Sequence, residues 1–259
     1  MLNIAVIDNL SARAYTLAGP VFPANFLRCS PTESFKHFTA GDADAALLPV
    51  GCMPAIPAGT YSVLPFGIAC RTSAFSVLLF CKQPLDRIAA QSAPIHVIPD
   101  SQSARRLLQV LYRLEYGCFP VLTDRVEGAQ AFLVIGDKAM TYRAEGHPWS
   151  TVADLGLWWH RRTGLPFVFA QWVLRETVAR GMQLEVTAWL EECTRRAESP
   201  DGRAILAEEG MRANLFEGSL EKALAYYDSL HTRLGDDDLA GLNLFMEKAK
   251  ELPPCHQNA

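Results

Sequence analysis

Asp154–Leu155–Gly156–Leu157–Trp158–Trp159–His160–Arg161–Arg162–Thr163–Gly164–Leu165–Pro166–Phe167–Val168–Phe169–Ala170–Gln171–Trp172 is the stretch whose reading decides the fold. A polar helix carrying two adjacent tryptophans ends at Thr163–Gly164, and Pro166 bars its continuation. A very apolar strand, Phe167 to Trp172, follows at once. A surface helix needs no such pair of indoles, and a buried strand needs no such abrupt entry. The pattern describes a helix end and a strand end held side by side.

Working outward, the first half alternates strands and helices. Strand-like runs are Leu2–Ile7, Asn25–Cys29, Ala45–Val50, Tyr61–Ile68, Phe75–Cys81, Ile95–Ile98 and Ala131–Ile135. Helical runs are Pro31–Ala40, with Pro at its start and Gly41 just past its end, and Ser103–Tyr116. Such alternation predicts a mostly parallel α/β sheet. From about Glu176 the strand pattern stops, and Leu184–Glu198, Ser219–Leu234 and Asp237–Leu252 read as helices of period 3.6. Asp236–Asp238 supply the last of these with an acidic start.

The expected architecture is two α/β lobes with a cleft between them and a C-terminal helical section. One lobe comprises residues 1–83 and 176–259 and the other residues 84–175, with crossings at Lys82–Asp86 and around Trp172–Thr177.

The bulk composition narrows the function. The chain of 259 residues is 49% hydrophobic and 20% charged, enough for a sizeable core. With 24 Lys and Arg against 28 Asp and Glu, the net charge is −4, and the basic pairs Arg105–Arg106, Arg161–Arg162 and Arg195–Arg196 are isolated. That is no nucleic-acid footprint. No run approaches the roughly 18 apolar residues of a membrane span. Met1–Asp8 lacks a basic leader and reaches an acid at its eighth residue, so it reads as a strand rather than a signal peptide. The seven cysteines, Cys29, Cys52, Cys70, Cys81, Cys118, Cys193 and Cys255, include no C-x-x-C pair, and with no export signal they are expected to be reduced thiols in the cytoplasm. The six His show no H-x-x-x-H spacing, so no metal is expected.

The stretch 154–172 closely resembles the D-L-x-x-x-W-x-x-x-T-G-L-P-F-V-F-A-x-W signature of the menaquinone-biosynthesis proteins of the futalosine pathway, the chorismate dehydratase family. Gly41–Asp42–Ala43–Asp44–Ala45–Ala46–Leu47–Leu48–Pro49 follows that family's G-x-x-D-x-A-L-x-P pattern, where Asp44 would fix the turn before a buried strand. Ala225–Tyr226–Tyr227 and Gly241–Phe245 resemble its closing helices. The resemblance implies a type II periplasmic-binding-protein-like fold, a cofactor-free dehydration of chorismate, and a small dicarboxylate as partner. It leaves homodimer formation open. The related dihydroxynaphthoate synthases differ: their Ser-Pro-Cys-Pro-Asn-Asp type of start is absent, and Gly136 stands where they place a His.

In such folds ligands sit where strand ends meet helix starts, because free backbone N–H groups attract anions there. Four stretches qualify. Asn9 follows the first strand and matches a family Asn; it would hold a substrate group, or form an Asx-turn, with Ser11 beside it. The stretch Ile68–Leu79 parallels I-x-S-x-G-P-V-x-S-V-L-L. Ser76 agrees, Cys70 replaces the first Ser as either nucleophile or small buried residue, and Thr72–Ser73–Ala74 replace Gly-Pro-Val.

The run Asp100–Leu108 parallels D-x-x-S-R-T-S. Asp100 and Ser103 match and Ala104 follows, while Arg105 and Arg106 occupy the places of the Thr-Ser pair. Arg105 would bind carboxylate as a fork, or Ser103 is a plain N-cap with the arginines in solvent. Finally, Phe132–Met140 ends in I-G-D-x-A, where Gly136 allows close backbone approach and Asp137 is either a general base or a cap. Thr163 and Gly164 would add backbone donors at the helix–strand junction. Asn9 and Asp137 are thus the catalytic candidates. A non-catalytic cytoplasmic protein that binds an aromatic or small carboxylate is the alternative function.

Overall fold

The computed structural model describes residues 1–146 and 148–252; Cys255 lies outside the described residues. In chain order the elements are β1 (Leu2–Ile7), β2 (Ala24–Cys29), α1 (Pro31–Ala40), β3 (Ala45–Pro49), β4 (Tyr61–Cys70), β5 (Val77–Cys81), α2 (Leu85–Ala90), β6 (Ile95–Val97), α3 (Gln102–Tyr116) and β7 (Leu122–Thr123). There follow β8 (Ala131–Ile135), α4 (Gly136–Ala144), β9 (Thr151–Asp154), α5 (Leu155–Thr163), β10 (Phe167–Arg175), α6 (Arg180–Glu198), α7 (Pro200–Arg212), α8 (Leu220–Ser229), β11 (Leu230–Arg233) and α9 (Asp236–Ala249).

Two sheets result. The first runs β11-β4-β10-β3-β1-β2 and the second β7-β6-β8-β5-β9. Both are mixed rather than mostly parallel. β1 is parallel to β2 and β3, but β10 lies antiparallel between β3 and β4. In the second sheet β6 is parallel to β7 and β8, while β5 runs antiparallel to β8 and β9.

The chain changes sheet at 71–76 and again at 164–166, not at 82–86 and 172–177. β5 therefore belongs to the second sheet and β10 to the first. All five β5 residues are buried, as are all but Phe169 and Arg175 of β10. Strands buried on both faces carry no alternation by which a sequence reveals its sheet.

A second correction concerns Ser219–Leu234. The helix ends at Ser229, and Leu230–Arg233 turns out to pair as an edge strand with β4, placing a C-terminal segment in the first sheet.

The junction at 163–167 is built as its residues suggest. Gly164 takes the left-handed conformation (φ 74°) and closes α5 through its N–H to the His160 carbonyl. Trp159 is fully buried, donates from its indole to the Pro166 carbonyl at 3.0 Å, and meets Phe167 and Phe245 edge-on. Its neighbour Trp158 turns the other way, onto Tyr112 and Tyr116 of α3. α9 seats on this corner so closely that a Cβ at Gly241 would come within 2.2 Å of the Pro166 carbonyl oxygen. Asp44 accepts the Asn3 N–H at 2.9 Å, tying the start of β1 to the turn before β3.

The first crossing, Arg71–Ser76, depends on Asp154, the N-cap of α5. Its carboxylate accepts the Ser73 hydroxyl (2.6 Å) and the backbone N–H groups of Ala74 (3.0 Å), Phe75 (2.7 Å) and Leu157 (3.0 Å). Phe75 is left-handed (φ 59°), which costs a side-chain-bearing residue on the order of 1 kcal/mol. The grip of Asp154 on both sides holds it there, and its ring docks against the C-terminal helices.

No described helix is long and apolar enough to cross a membrane.

Candidate functional site

The strand ends of both sheets open on one pocket of roughly 590 Å³, its mouth included. From the first sheet come Ile7, Pro49, Ile68, Phe169, Ala170 and Leu230, and from the second Val77 and Ile135. These make apolar walls. The polar lining is Asn9, Ser11, Ser76, Asp100, Ser101 and Ser103, joined by Ala104 and Gly136. Asp100 is the one charged side chain in the lining, which contains neither Lys, Arg nor His.

Two helix starts face this space. α3 begins with no side-chain cap, because the Ser101 hydroxyl donates instead to the Ile98 carbonyl at 2.5 Å. α4 likewise begins without a side-chain cap, directly after Ile135. The first N–H groups of an uncapped helix carry partial positive charge and seek an acceptor. With the lining otherwise neutral apart from Asp100, these amides are its source of positive potential.

Gly51 lets α3 reach this position. A Cβ there would stand 2.8 Å from the Ser103 Cα and 3.1 Å from the Gln102 carbonyl oxygen. Its N–H donates to the Ser103 hydroxyl at 3.0 Å, which itself donates to the Phe169 carbonyl at 3.0 Å. Ser103 thus lines the pocket while its hydroxyl ties α3 to Gly51 and β10. Gly51→Ala should push the helix start away, costing about 1–3 kcal/mol by overpacking and weakening anion affinity together with it. Denaturant unfolding and calorimetric titration check this, and a variant with wild-type values in both would disprove the close-approach role.

At Asn9 the structure shows the turn-forming role, and the amide nitrogen takes no part in it. The side-chain oxygen accepts the Ala12 N–H (3.1 Å) and the Ser11 hydroxyl (2.8 Å), capping the short 3-10 turn Leu10–Thr16. The amide nitrogen is turned to Gly136 and lies 3.7 Å from where a Cβ would be. Gly136 is left-handed (φ 62°), and its N–H donates to the Ser76 carbonyl at 2.7 Å. A side chain there would be strained by φ and would crowd the Asn9 amide.

Five expected site residues lie outside the pocket lining. Cys70 has no exposed surface, and burial, reinforced by the Asp154 charge, raises its thiol pKa, so it is no thiolate nucleophile. Its sulfur instead packs where a side chain at Gly156 would be, 2.6 Å from that Cβ position. Arg105 lies about one hundred degrees further round α3 than Ala104, with its guanidinium 3.9 Å from Asp124, so no arginine fork enters the pocket. Thr163 spends its hydroxyl on the Trp159 carbonyl and the Leu165 N–H, and Gly164 closes α5.

Asp137 is the fifth. Its carboxylate accepts the Leu10 N–H at 3.1 Å, joining α4 to the turn after β1. Burial raises its pKa, partly offset by that bond and by Arg13. Asp137→Asn keeps the accepting oxygen and should leave turnover intact; a collapse of activity would restore Asp137 as the base. The same variant gives a sign for pH. A raised carboxyl pKa means the folded protein holds its proton more tightly than the unfolded chain. Stability from this group is therefore full below the unfolded value of about 3.9, and is lost as pH rises through the raised one. The Asn variant should gain on the wild type across that window in pH-dependent unfolding.

The sequence reading missed Ser101, Gly51, Phe169 and Leu230 as pocket-forming residues. Gly51 followed a recognised A-L-L-P run, which was a usable signal. Leu230 sat inside a stretch read as helix. Among the described residues no three His, Cys, Asp or Glu side chains converge as a metal site.

The sequence matches a family model described as menaquinone biosynthesis over residues 13–251. The backbone is similar to protein AF1704 from Archaeoglobus fulgidus (TM-score 0.72, 16% identity, 96% of each chain covered). It is similar also to the alkanesulfonate-binding protein SsuA from Xanthomonas axonopodis pv. citri bound to MOPS (TM-score 0.67, 12% identity, 97% of this chain and 94% of that one). A third is the Candida albicans CA3427 gene product, described as having the generic periplasmic binding protein fold (TM-score 0.66, 11% identity, 97% and 90%). At these identities the likeness is one of fold: two mixed sheets and flanking helices in the periplasmic-binding-protein arrangement.

Proposed function

We propose, from the premise that the chain belongs to the menaquinone-biosynthesis family, that its pocket binds chorismate and removes water from it to give 3-(1-carboxyvinyloxy)benzoate. The observation that carries this reading is the convergence of two uncapped helix starts, α3 and α4, on a pocket whose remaining walls are largely apolar. A ring bearing two carboxylates needs that combination: apolar surface for the ring, and donors fixed in place for the charges.

The reaction makes the ring aromatic, so the thermodynamic drive is supplied by the substrate. The protein must orient a dianion and assist departure of a ring proton and of hydroxide. Ile7, Ile68, Val77 and Phe169 would grip the ring, and the amides at Ser103 and Ala104, with the start of α4 at Gly136, would face the carboxylates. The Asn9 amide would be the side-chain donor to the leaving oxygen, joined by the Ser76 hydroxyl if its proton turns from the Ala74 carbonyl, whereas the Ser11 proton is held by Asn9. A ligand filling the space between the sheets would displace water from it, which strengthens each of these dipolar contacts.

A second reading, a non-catalytic binding protein for an aromatic or small carboxylate, is favoured by the single ionisable side chain in the lining, Asp100. The sulfonate-binding neighbour also uses this fold to hold an anion. Incubating purified protein with chorismate and following the aromatic product by absorbance and chromatography separates the two. Product formation supports the dehydratase. Saturable binding without product supports the binder, and neither result leaves the dianion pocket without support.

A further inference from the structure

Behind the pocket, the C-terminal helical section delivers a buried phenol to the donor set. Tyr226 of α8 is 1% exposed, with its ring set against Phe216 and Tyr227 at centroid distances of 5.5 and 5.1 Å. Its hydroxyl lies 3.4 Å from the Ser76 hydroxyl. Ser76 in turn donates to the Ala74 carbonyl across 3.3 Å. Hydroxyl hydrogen bonds usually measure about 2.7–2.8 Å, so both contacts are long and weakly directed. A hydroxyl held this loosely can re-aim its proton at little cost when a stronger acceptor arrives.

One direction satisfies both contacts. With the Ser76 proton on Ala74, the Ser76 oxygen is left to accept from Tyr226. The phenol itself does not line the pocket, whereas Ser76 and Ser11 do. Burial holds the phenol pKa well above its ordinary value, so it remains a donor.

We propose that Tyr226 is a positioning residue: its O–H, donated to Ser76 from behind, frees the Ser76 proton to swing from the Ala74 carbonyl to an anionic oxygen of the ligand. The proposal rests on the pocket being the dianion site argued above. It assigns the C-terminal helices a part in ligand recognition as well as in packing.

The test uses the full chain with Tyr226→Phe, Ser76→Ala, and the two combined, read against chorismate. Tyr226→Phe keeps the ring and its packing, so the melting temperature should stay close to that of the wild type. kcat/KM is expected to fall about tenfold, the weakening of the charge-assisted hydrogen bond that Ser76 would make to the ligand. Because Tyr226 acts through Ser76, the double variant should be no worse than Ser76→Ala alone, and this coupling in kcat/KM at unchanged melting temperature is what a purely structural role would not produce. Should the protein bind chorismate without converting it, the same comparison is read on Kd.

Wild-type behaviour of Tyr226→Phe, or losses that simply multiply in the double variant, overturns the proposal while leaving the dianion reading intact. Absence of both binding and turnover in the wild type overturns the two together.

Discussion

Asp154→Ala is expected to cost about 3–5 kcal/mol in unfolding free energy and to abolish ligand binding. One carboxylate satisfies the Ser73 hydroxyl and the N–H groups of Ala74, Phe75 and Leu157. Hydrogen bonds to a charged acceptor contribute about 1.5–3 kcal/mol each, less than additively when they share a partner. Two consequences follow from removing it. α5 loses its N-cap, and the crossing 71–76 loses the anchor that holds Phe75 left-handed. Since Ser76 lies at the end of that crossing, the donor set is displaced even in molecules that stay folded. Asn at this site keeps one acceptor but turns an NH2 toward donors, so it should rescue less than half of the loss. Chemical denaturation and calorimetric titration measure both effects. A destabilisation under about 1 kcal/mol would show that the crossing is held by packing instead.

The second large effect is on chemistry. Asn9→Ala removes a cap worth about 1 kcal/mol and also the amide that faces Gly136. Turnover should fall at least about a hundredfold, the usual effect of losing one fixed donor at a reacting oxygen. Asn9→Asp separates the roles, since Asp caps a helix as well as Asn does. That variant should fold with wild-type stability and yet repel the anion, because a carboxylate replaces the donor. Normal turnover in Asn9→Asp would remove Asn9 from the site.

The readability of this chain in its sequence was uneven for physical reasons. Pro31 and Gly41 marked the ends of α1, and Thr163–Gly164–Leu165–Pro166 marked the corner, because those residues restrict φ or permit its unusual values. Sheet membership was not readable for β5 and β10. Both are buried on both faces, and only the pairing partners, distant in sequence, decide between the sheets. β11 was hidden because four residues are too few for a period to show against the helix before them.

At the site, the strand-to-helix turns at Asn9, Ser103 and Gly136 and the crossing that ends at Ser76 came out on one pocket because strand ends in such sheets collect on one side. Arg105 and Thr163 did not, since their motif positions say nothing of the angle around a helix axis at which a side chain leaves. The Asp154 clamp was equally invisible: its partners at 73–75 lie some eighty residues earlier.

The lining without Lys, Arg or His has a consequence for association. A pocket that captures a dianion by main-chain dipoles exerts attraction over only a few ångströms, and the chain as a whole is negative. Encounter is then neither steered nor hastened by long-range fields, so dissolved salt should screen the mutual repulsion and speed binding slightly. For the dicarboxylate ligand proposed above, discrimination would fall instead to the dehydration of the two carboxylates, each of which must find an amide waiting for it.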